Sequence, residues 1–285
     1  MFPGRFDYHR PSTVADAVRL LAERGEDARV LAGGHSLIPM MKLRMAAPSD
    51  LIDLGGVAAL RGVAVEGGTV RIGAMTTQAE LISSEALAQA APLVREAALQ
   101  IADPQVRYVG TLGGNVANGD PGNDMPGLMQ CLDATYTLAG PEGERQVKAR
   151  DFYFGAYDTA RADGEILTEV AFAAHAGRGW AYEKQKRKIG DYATAAAAVL
   201  LRMSGGRCAE ASIAMTNLAD RPIFSAAAAA ALVGTALDEA ALAAAVAAMQ
   251  SDIDPSADNR GPVEFKRHLA GVMLRRAVAR AAARA

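Results

Sequence analysis

Cysteine is scarce in this chain. Its 285 residues hold two, Cys131 and Cys208, far apart and in apolar or mixed surroundings. An iron–sulfur cluster takes about four thiolates and a structural zinc ion usually four ligands. Any metal redox centre that serves the protein therefore belongs on another chain, and the two thiols read as buried groups in a reducing cytoplasm. Histidine is equally thin: His9, His175 and His268 have no neighbours at metal-ligand spacing. No Ser-His-Asp or Cys-His arrangement suggests nucleophilic catalysis. No catalytic residue and no metal ligand is assigned.

Charge of one sign is lacking too. Thirty Lys and Arg face 32 Asp and Glu, a formal net charge of −2. A nucleic acid or an acidic membrane surface would call for a basic excess or stripe, so no nucleic-acid partner is expected. The most apolar stretch, residues 223–237, is mostly alanine and too short to span a bilayer. The opening Met1-Phe2-Pro3-Gly4-Arg5-Phe6-Asp7 lacks the basic region and apolar core of a signal peptide. The expectation is a soluble, cytoplasmic protein. The G-x-G-x-x-G spacing of a Rossmann phosphate loop is also missing, which argues against a conventional NAD domain.

What is present is a series of short β/α units. Ser12 or Thr13 caps a helix whose apolar face is Val14, Ala17, Val18 and Leu21. Strands are expected at 28–31 and 51–54, with helical spacing from Leu37 to Arg44 between them. A hairpin turns at Gly67-Gly68. Helices are expected over 78–87, 92–99 and 126–132, and a strand over 134–138 before a turn at Pro141-Glu142-Gly143. Residues 175–180 mark the domain boundary, giving 1–177 (subdomains of about 1–56 and 57–177) and 178–285. Beyond it, 193–203 and 208–216 read as strands around Ser204-Gly205-Gly206, although alanine's helix preference pulls against the first. Helices follow over 237–249 and from Val263 onward. The arginines of the last helix, Arg275, Arg276, Arg280 and Arg284, read as a solvated face that suits the helix dipole.

Two glycine pairs carry the chemistry: Ala32-Gly33-Gly34-His35-Ser36, between a strand and a helix, and Thr111-Leu112-Gly113-Gly114-Asn115. Where Cβ is missing, backbone N–H groups can approach an anion closely. Ser36, Thr111 and Asn115 add side-chain donors. Two such bends would cradle the two phosphates of a dinucleotide from opposite sides, and enlarging Gly33 or Gly114 is expected to abolish binding while the fold survives. Taken singly, a Gly-Gly turn is usually only a turn.

These motifs, with Leu37-Ile38-Pro39-Met40-Met41-Lys42 after the first and Gly119-Asp120-Pro121-Gly122-Asn123-Asp124-Met125-Pro126 after the second, resemble the FAD subunits of the xanthine dehydrogenase family of molybdenum hydroxylases. Residues 186–194 (Lys186-Arg187-Lys188-Ile189-Gly190-Asp191-Tyr192-Ala193-Thr194), 102–108 and 6–11 resemble its carbon monoxide dehydrogenase branch in particular. The similarity runs essentially end to end. It implies an α+β, vanillyl-alcohol-oxidase-like (PCMH-type) fold: two α/β subdomains with FAD between them, then a C-terminal domain of a small antiparallel sheet with helices. It implies noncovalent FAD held at the diphosphate by backbone amides of Ala32 to Ser36 and Thr111 to Asn115. Asp124 would contact the cofactor, Ile101 and Leu167 would flank the flavin or adenine, Lys184 would reach the flavin, and Tyr192 would lie beside the isoalloxazine ring. It further implies a large subunit with a molybdenum–copper centre, a small subunit with two 2Fe–2S clusters, a dimer of heterotrimers, and a quinone as electron acceptor, reached at the inner face of the cell membrane. The flavin subunit of a related hydroxylase acting on an aldehyde or N-heterocycle is the alternative.

Some residues keep two readings. His35 could bond a phosphate, but the amides suffice without it. Asp120, Asn123 and Asp124 could be taken for a metal loop; a turn with a ribose or flavin contact reads better, since the further oxygen ligands of a calcium site are missing. Lys184, Lys186, Arg187 and Lys188 are either a solvated strand end or loop, or some of them offset the cofactor's phosphates or a reduced anionic flavin, or dock a partner subunit.

Overall fold

The amphipathic spacing near the N-terminus forms the helix Val14–Arg24, which begins where the Thr13 hydroxyl accepts the Asp16 amide at 3.1 Å. Its buried face, Ala17, Val18 and Leu21, closes over a three-stranded parallel sheet. In the computed structural model, which describes residues 2–285, that sheet comprises Asp7–His9, Asp50–Asp53 and Ala28–Leu31, with Asp50–Asp53 at its centre. The helix Leu37–Lys42 lies in the connection from Ala28–Leu31 to Asp50–Asp53.

The second unit is a five-stranded antiparallel sheet in the order Val63–Glu66, Thr69–Gly73, Ile166–Ala173, Thr135–Gly140, Gly143–Lys148. Its first hairpin turns at Gly67 and Gly68, both at positive φ, the geometry a two-residue hairpin demands. The helix expected over 78–87 is two helices, Gln78–Ser83 and Glu85–Ala90. Ser84 leaves helical geometry between them and its hydroxyl accepts the Leu87 amide at 3.2 Å, because a serine stabilises a helix start better than a helix interior. The glycine-rich stretch after Thr111 is itself a helix, Leu112–Ala117. The central strand Ile166–Ala173 has no counterpart in the sequence reading. A register shift between Leu167 and Glu169 buries two consecutive residues and interrupts the alternation that marks a strand.

The C-terminal unit is a four-stranded antiparallel sheet, Gly179–Gln185, Ala195–Ser204, Arg207–Thr216 and Ile223–Phe224. Ala195–Ser204 is a strand despite its alanines because both its faces are covered. Ala196, Ala198 and Leu200 join the core that contains Leu93, Val94 and Leu128. Ala195, Ala197, Val199 and Leu201 join the core built with the helices Ala226–Leu232, Glu239–Asp252 and Val263–Ala282. Small side chains let helices approach the sheet from either side, and that burial overrides local preference. The 223–237 stretch divides into the short strand Ile223–Phe224 and the helix Ala226–Leu232, and among the described residues no helix is long and apolar enough to cross a membrane. Both cysteines are buried and free, and burial pushes the Cys131 thiol up to about 12.

Of the arginines of the last helix, Arg276 is exposed and meets no partner among the described residues, as a solvated face implies, but the other three are paired. Arg280 pairs with Glu96 at 3.0 Å and with Glu183, Arg284 pairs with Glu96 at 2.9 Å and lies 3.8 Å from the Trp180 ring centroid, and Arg275 pairs with Glu239 at 2.6 Å. Glu96 lies on the helix Pro92–Ala98 and also accepts the Tyr182 amide at 2.7 Å, so one carboxylate ties the C-terminal helix to the preceding unit. Glu96→Ala removes these bonds and leaves the Tyr182 amide without an acceptor. Chemical denaturation should show a loss of about 1–3 kcal/mol.

His175 is 2% exposed and neither ring nitrogen has a hydrogen-bond partner among the described residues. Burial, with Arg178 adding, lowers its pKa from 6.5 to about 4. Between these values the unfolded chain takes up a proton that the folded chain refuses, so stability is full above pH 6.5 and declines as pH falls toward 4. The decline attributable to this group is on the order of 3 kcal/mol. Urea denaturation at a series of pH values should show His175→Leu flatter across this window than the parent.

Candidate functional site

A cleft of about 630 Å³ runs between the parallel sheet, the helix Leu112–Ala117 and the segments around residues 101, 124, 161 and 190. That volume lies within the range of small-molecule and cofactor sites. Every residue that the resemblance assigns to the cofactor lines it except Leu112.

The first bend presents open main-chain donors. Ala32 to Ser36 leave the strand Ala28–Leu31 and enter the helix Leu37–Lys42, with Gly34 at φ +74°. Among the described residues, the amides of Gly33, Gly34, His35 and Ser36 meet no acceptor, and the His35 and Ser36 side chains are likewise without partners. Gly33 has no room for a side chain: a Cβ would lie 2.5 Å from the Val109 carbonyl oxygen and 2.7 Å from Gly110 Cα. The missing side chain lets this bend lie flat against the 109–110 backbone.

The second bend is different and corrects the sequence reading. The Leu112 amide donates to the Thr76 carbonyl at 2.9 Å, Gly113 to Ala74 at 2.8 Å, Gly114 to the Thr111 hydroxyl at 3.0 Å, and Asn115 to the Thr111 carbonyl at 3.1 Å. All four donors are taken by the capped start of a helix and its bridge to residues 74–77. The Leu112 side chain is fully buried in the core and turned from the cleft. The glycines here serve close packing: a Cβ on Gly113 would lie 2.5 Å from Ala74 Cβ, and one on Gly114 would lie 2.8 Å from the Thr111 hydroxyl oxygen and 3.1 Å from Ala32 Cβ. Enlarging Gly33 would force the 109–110 backbone to shift, and enlarging Gly114 would displace the Thr111 hydroxyl, so neither change acts on the donors alone. What this segment offers the cleft is the Thr111 amide, which meets no acceptor among the described residues, the Thr111 hydroxyl hydrogen, and the NH₂ group of Asn115, whose Oδ1 and carbonyl already accept from the Met125 amide and from Asn123.

Opposite lies a buried polar cluster. Asp124, 4% exposed, opens the helix Asp124–Cys131. It accepts the Tyr182 hydroxyl at 2.6 Å and the Lys184 ammonium at 2.8 Å. Burial raises the Asp124 pKa while Lys184 and Tyr182 pull it back, and burial also raises that of Tyr182. The Lys184 side chain is 1% exposed and also donates to the Gln100 carbonyl, so its partners are within the protein. Burial, then the Lys184 charge, lowers the pKa of Lys186; Arg187 bonds Asp191 at 2.9 Å; Lys188 is exposed. The basic run is thus neither one solvated strand end nor one phosphate clamp.

Asp120 accepts the Gly122 amide at 2.9 Å and the Tyr157 hydroxyl at 3.2 Å, the hydrogen bonding of a turn. Among the described residues no group of three or more His, Cys, Asp or Glu is placed to hold a metal ion. Ile101 and Leu167 form buried apolar wall. Tyr192 is 44% exposed at the rim, close against Gly122 and 5.9 Å from the Arg260 guanidinium, and burial followed by Asp120 and Asp124 raises its pKa.

Residues missed in the sequence include Gln78, Asn118, Arg29 and Arg161. Arg161 bonds the Ala162 and Glu165 carbonyls, and burial lowers its pKa. Gln78 sits beside the Thr77–Glu80 capping box, a legible signal for a helix start that says nothing of where the next side chain points. Four open amides, apolar walls and scattered polar groups in an elongated cleft suit an anionic cofactor that carries a flat ring.

Residues 4–173 match the family described as the FAD binding domain in molybdopterin dehydrogenase, and residues 180–281 match the CO dehydrogenase flavoprotein C-terminal domain. The chain belongs to this family of FAD-binding flavoproteins, and its fold is the expected vanillyl-alcohol-oxidase-like one with a C-terminal domain of small sheet and helices. It is 60% identical to the carbon monoxide dehydrogenase medium chain of Afipia carboxidovorans, over 100% of this chain and 99% of that one. A solved Cu,Mo-CO dehydrogenase in its cyanide-inactivated form contains a chain that superposes with a TM-score of 0.99 at 60% identity, covering 100% of both chains. The nicotine 6-hydroxylase medium subunit of Paenarthrobacter nicotinovorans is 34% identical over 97% of each chain.

The buried cluster gives a direct test. Lys184→Met leaves Asp124 without its counter-charge, and urea denaturation should show a loss of about 3–5 kcal/mol. The double variant Lys184→Met with Asp124→Leu should lose clearly less than the single one.

Proposed function

We propose that this chain is the FAD-carrying medium subunit of a carbon monoxide dehydrogenase. Its partners are a large subunit with a molybdenum–copper centre and a small subunit with two 2Fe–2S clusters, arranged as a dimer of heterotrimers. Carbon monoxide and water become carbon dioxide and two protons on the large subunit, and two electrons leave by way of the clusters and this subunit to a quinone, which takes up two protons, at the cytoplasmic face of the membrane. The FAD-binding unit spans 1–177, with subdomains 1–56 and 57–177, and the C-terminal unit spans 178–285. The full-length similarity at 60% identity supports the carbon monoxide branch over the N-heterocycle hydroxylases, to one of which the chain is 34% identical.

The observation that carries the site is the row of open amides from Gly33 to Ser36 at the cleft. Bound FAD supplies the exchange between one-electron and two-electron carriers. The chain's own residues bind and orient it. The amides of Gly33 to Ser36 hold the diphosphate, with the Thr111 hydroxyl and Asn115 NH₂ completing the cradle from the other side. Ile101 and Leu167 would supply apolar wall that keeps water from the bound group, and Tyr192 would shield it at the rim. The Asp124–Lys184 pair keeps a fixed dipole in the wall near the ring, where low polarity makes it effective.

The native complex, purified through this chain, should contain one FAD per copy, copper and molybdenum together, and a flavin absorbance that bleaches under carbon monoxide. Flavin without copper, bleached by an N-heterocycle and not by carbon monoxide, would contradict the assignment. Because the main chain does the holding, His35→Ala and Ser36→Ala should each keep FAD within about tenfold of parental affinity, the scale of one hydrogen bond. Gly33→Ala, which forces the bend from the 109–110 backbone, should lose FAD. Flavin content after desalting checks both.

A further inference from the structure

Gln78 is 2% exposed, yet both polar atoms of its carboxamide, Oε1 and Nε2, are buried and have no partner among the described residues. Its side chain is part of the cleft wall. Leaving a buried donor or acceptor unpaired costs about 1–3 kcal/mol, and such groups in a native protein call for an explanation. Helix capping does not supply one. The start of Gln78–Ser83 is complete without this side chain: the Glu80 amide donates to the Thr77 hydroxyl at 3.2 Å and the Thr77 amide to the Glu80 carboxylate at 2.6 Å. Packing does not either, since leucine or methionine would occupy the same space with no polar atom to strand.

We propose that Gln78 is a cofactor-binding residue whose carboxamide pairs with a sugar-alcohol hydroxyl beside the diphosphate. This rests on the reading that the cleft holds FAD. Two observations select the hydroxyl. The first is chemical. A carboxamide is satisfied by a partner that both accepts and donates. A phosphate at neutral pH offers acceptors only and would strand Oε1, and a ring face offers neither; a ring edge offers both, and position decides between it and a hydroxyl. A hydroxyl accepts from Nε2 and donates to Oε1 or to a group like it. The second is positional. The Gln78 amide bonds the Gly110 carbonyl at 2.9 Å, and Gly110 is the segment against which Gly33 is packed. Gln78 thus stands next to the bend that offers the open amides. In FAD, the groups bonded to the diphosphate are the ribityl chain on one side and the adenosine ribose on the other, and both are polyols.

The test uses the native complex depleted of flavin, in parental form and with Gln78→Leu or Gln78→Glu, titrated with FAD, with FMN (ribityl chain and no ribose) and with ADP (ribose and no ribityl chain). Each variant should weaken FAD about tenfold or more, the scale of one hydrogen bond. A parallel loss for FMN with ADP unchanged assigns the ribityl chain, and the reverse assigns the ribose. Thermal melts of the flavin-free complexes separate binding from structure: Gln78→Leu should melt no lower than the parent, and FAD should raise its melting temperature less. A lower melt of flavin-free Gln78→Leu with unchanged FAD affinity would overturn the proposal and make Gln78 structural. Parental affinity in both variants would overturn it while leaving the FAD cleft standing, and a parent complex that takes up no FAD would overturn both.

Discussion

Four consecutive backbone amides, Gly33 to Ser36, meet no acceptor within the described protein and lie in half-buried to exposed chain at the cleft, where a ligand can take them. The rest of the site is arranged around that deficit. The strand Ala28–Leu31 delivers the chain to the cleft, Gly34 turns it through a left-handed conformation, and Gly33 is pressed against residues 109–110 so that the bend is held in place. The helix Leu112–Ala117 is locked behind it by a threonine cap and by bonds to residues 74 and 76. A rigid scaffold carrying unpaid donors is what an anion-binding site requires, because little reorganisation is needed when the ligand arrives.

The two glycine pairs look alike in the sequence and do different work. One exposes amides; the other spends them on its own helix and uses its glycines to bring Cα atoms close. No local feature separates the cases. The acceptors that take the Leu112 and Gly113 amides are the carbonyls of Thr76 and Ala74, nearly forty residues earlier, and only the fold brings them there. Both motifs, Leu112 apart, line one cleft, but the resemblance to flavin subunits could not say which donors remain open.

Much of the architecture was legible because local and tertiary signals agreed. The Thr13 cap, the Gly67-Gly68 hairpin and the long C-terminal helix are of this kind. Where tertiary contacts decided, the sequence was mute. A bulge hid the central strand Ile166–Ala173, and Arg280 and Arg284 of the final helix looked solvated because their partner, Glu96, lies 184 and 188 residues away in the chain. The Asp124–Lys184–Tyr182 cluster was half visible: Asp124 and Lys184 were singled out separately, each as a cofactor contact, and the structure pairs them with one another. Gln78 carried no signal, since a polar residue in the first turn of a helix is ordinary until its burial is known.

Amide hydrogen exchange tests the central claim most directly, measured on the native complex with its flavin and again after flavin removal. The amides of Gly33 to Ser36 should exchange fast without FAD and become strongly protected with it, while those of Leu112 to Asn115 stay protected in both. Equal protection of residues 33–36 in the two states, or protection gained on FAD binding only at residues 112–115, would contradict the account.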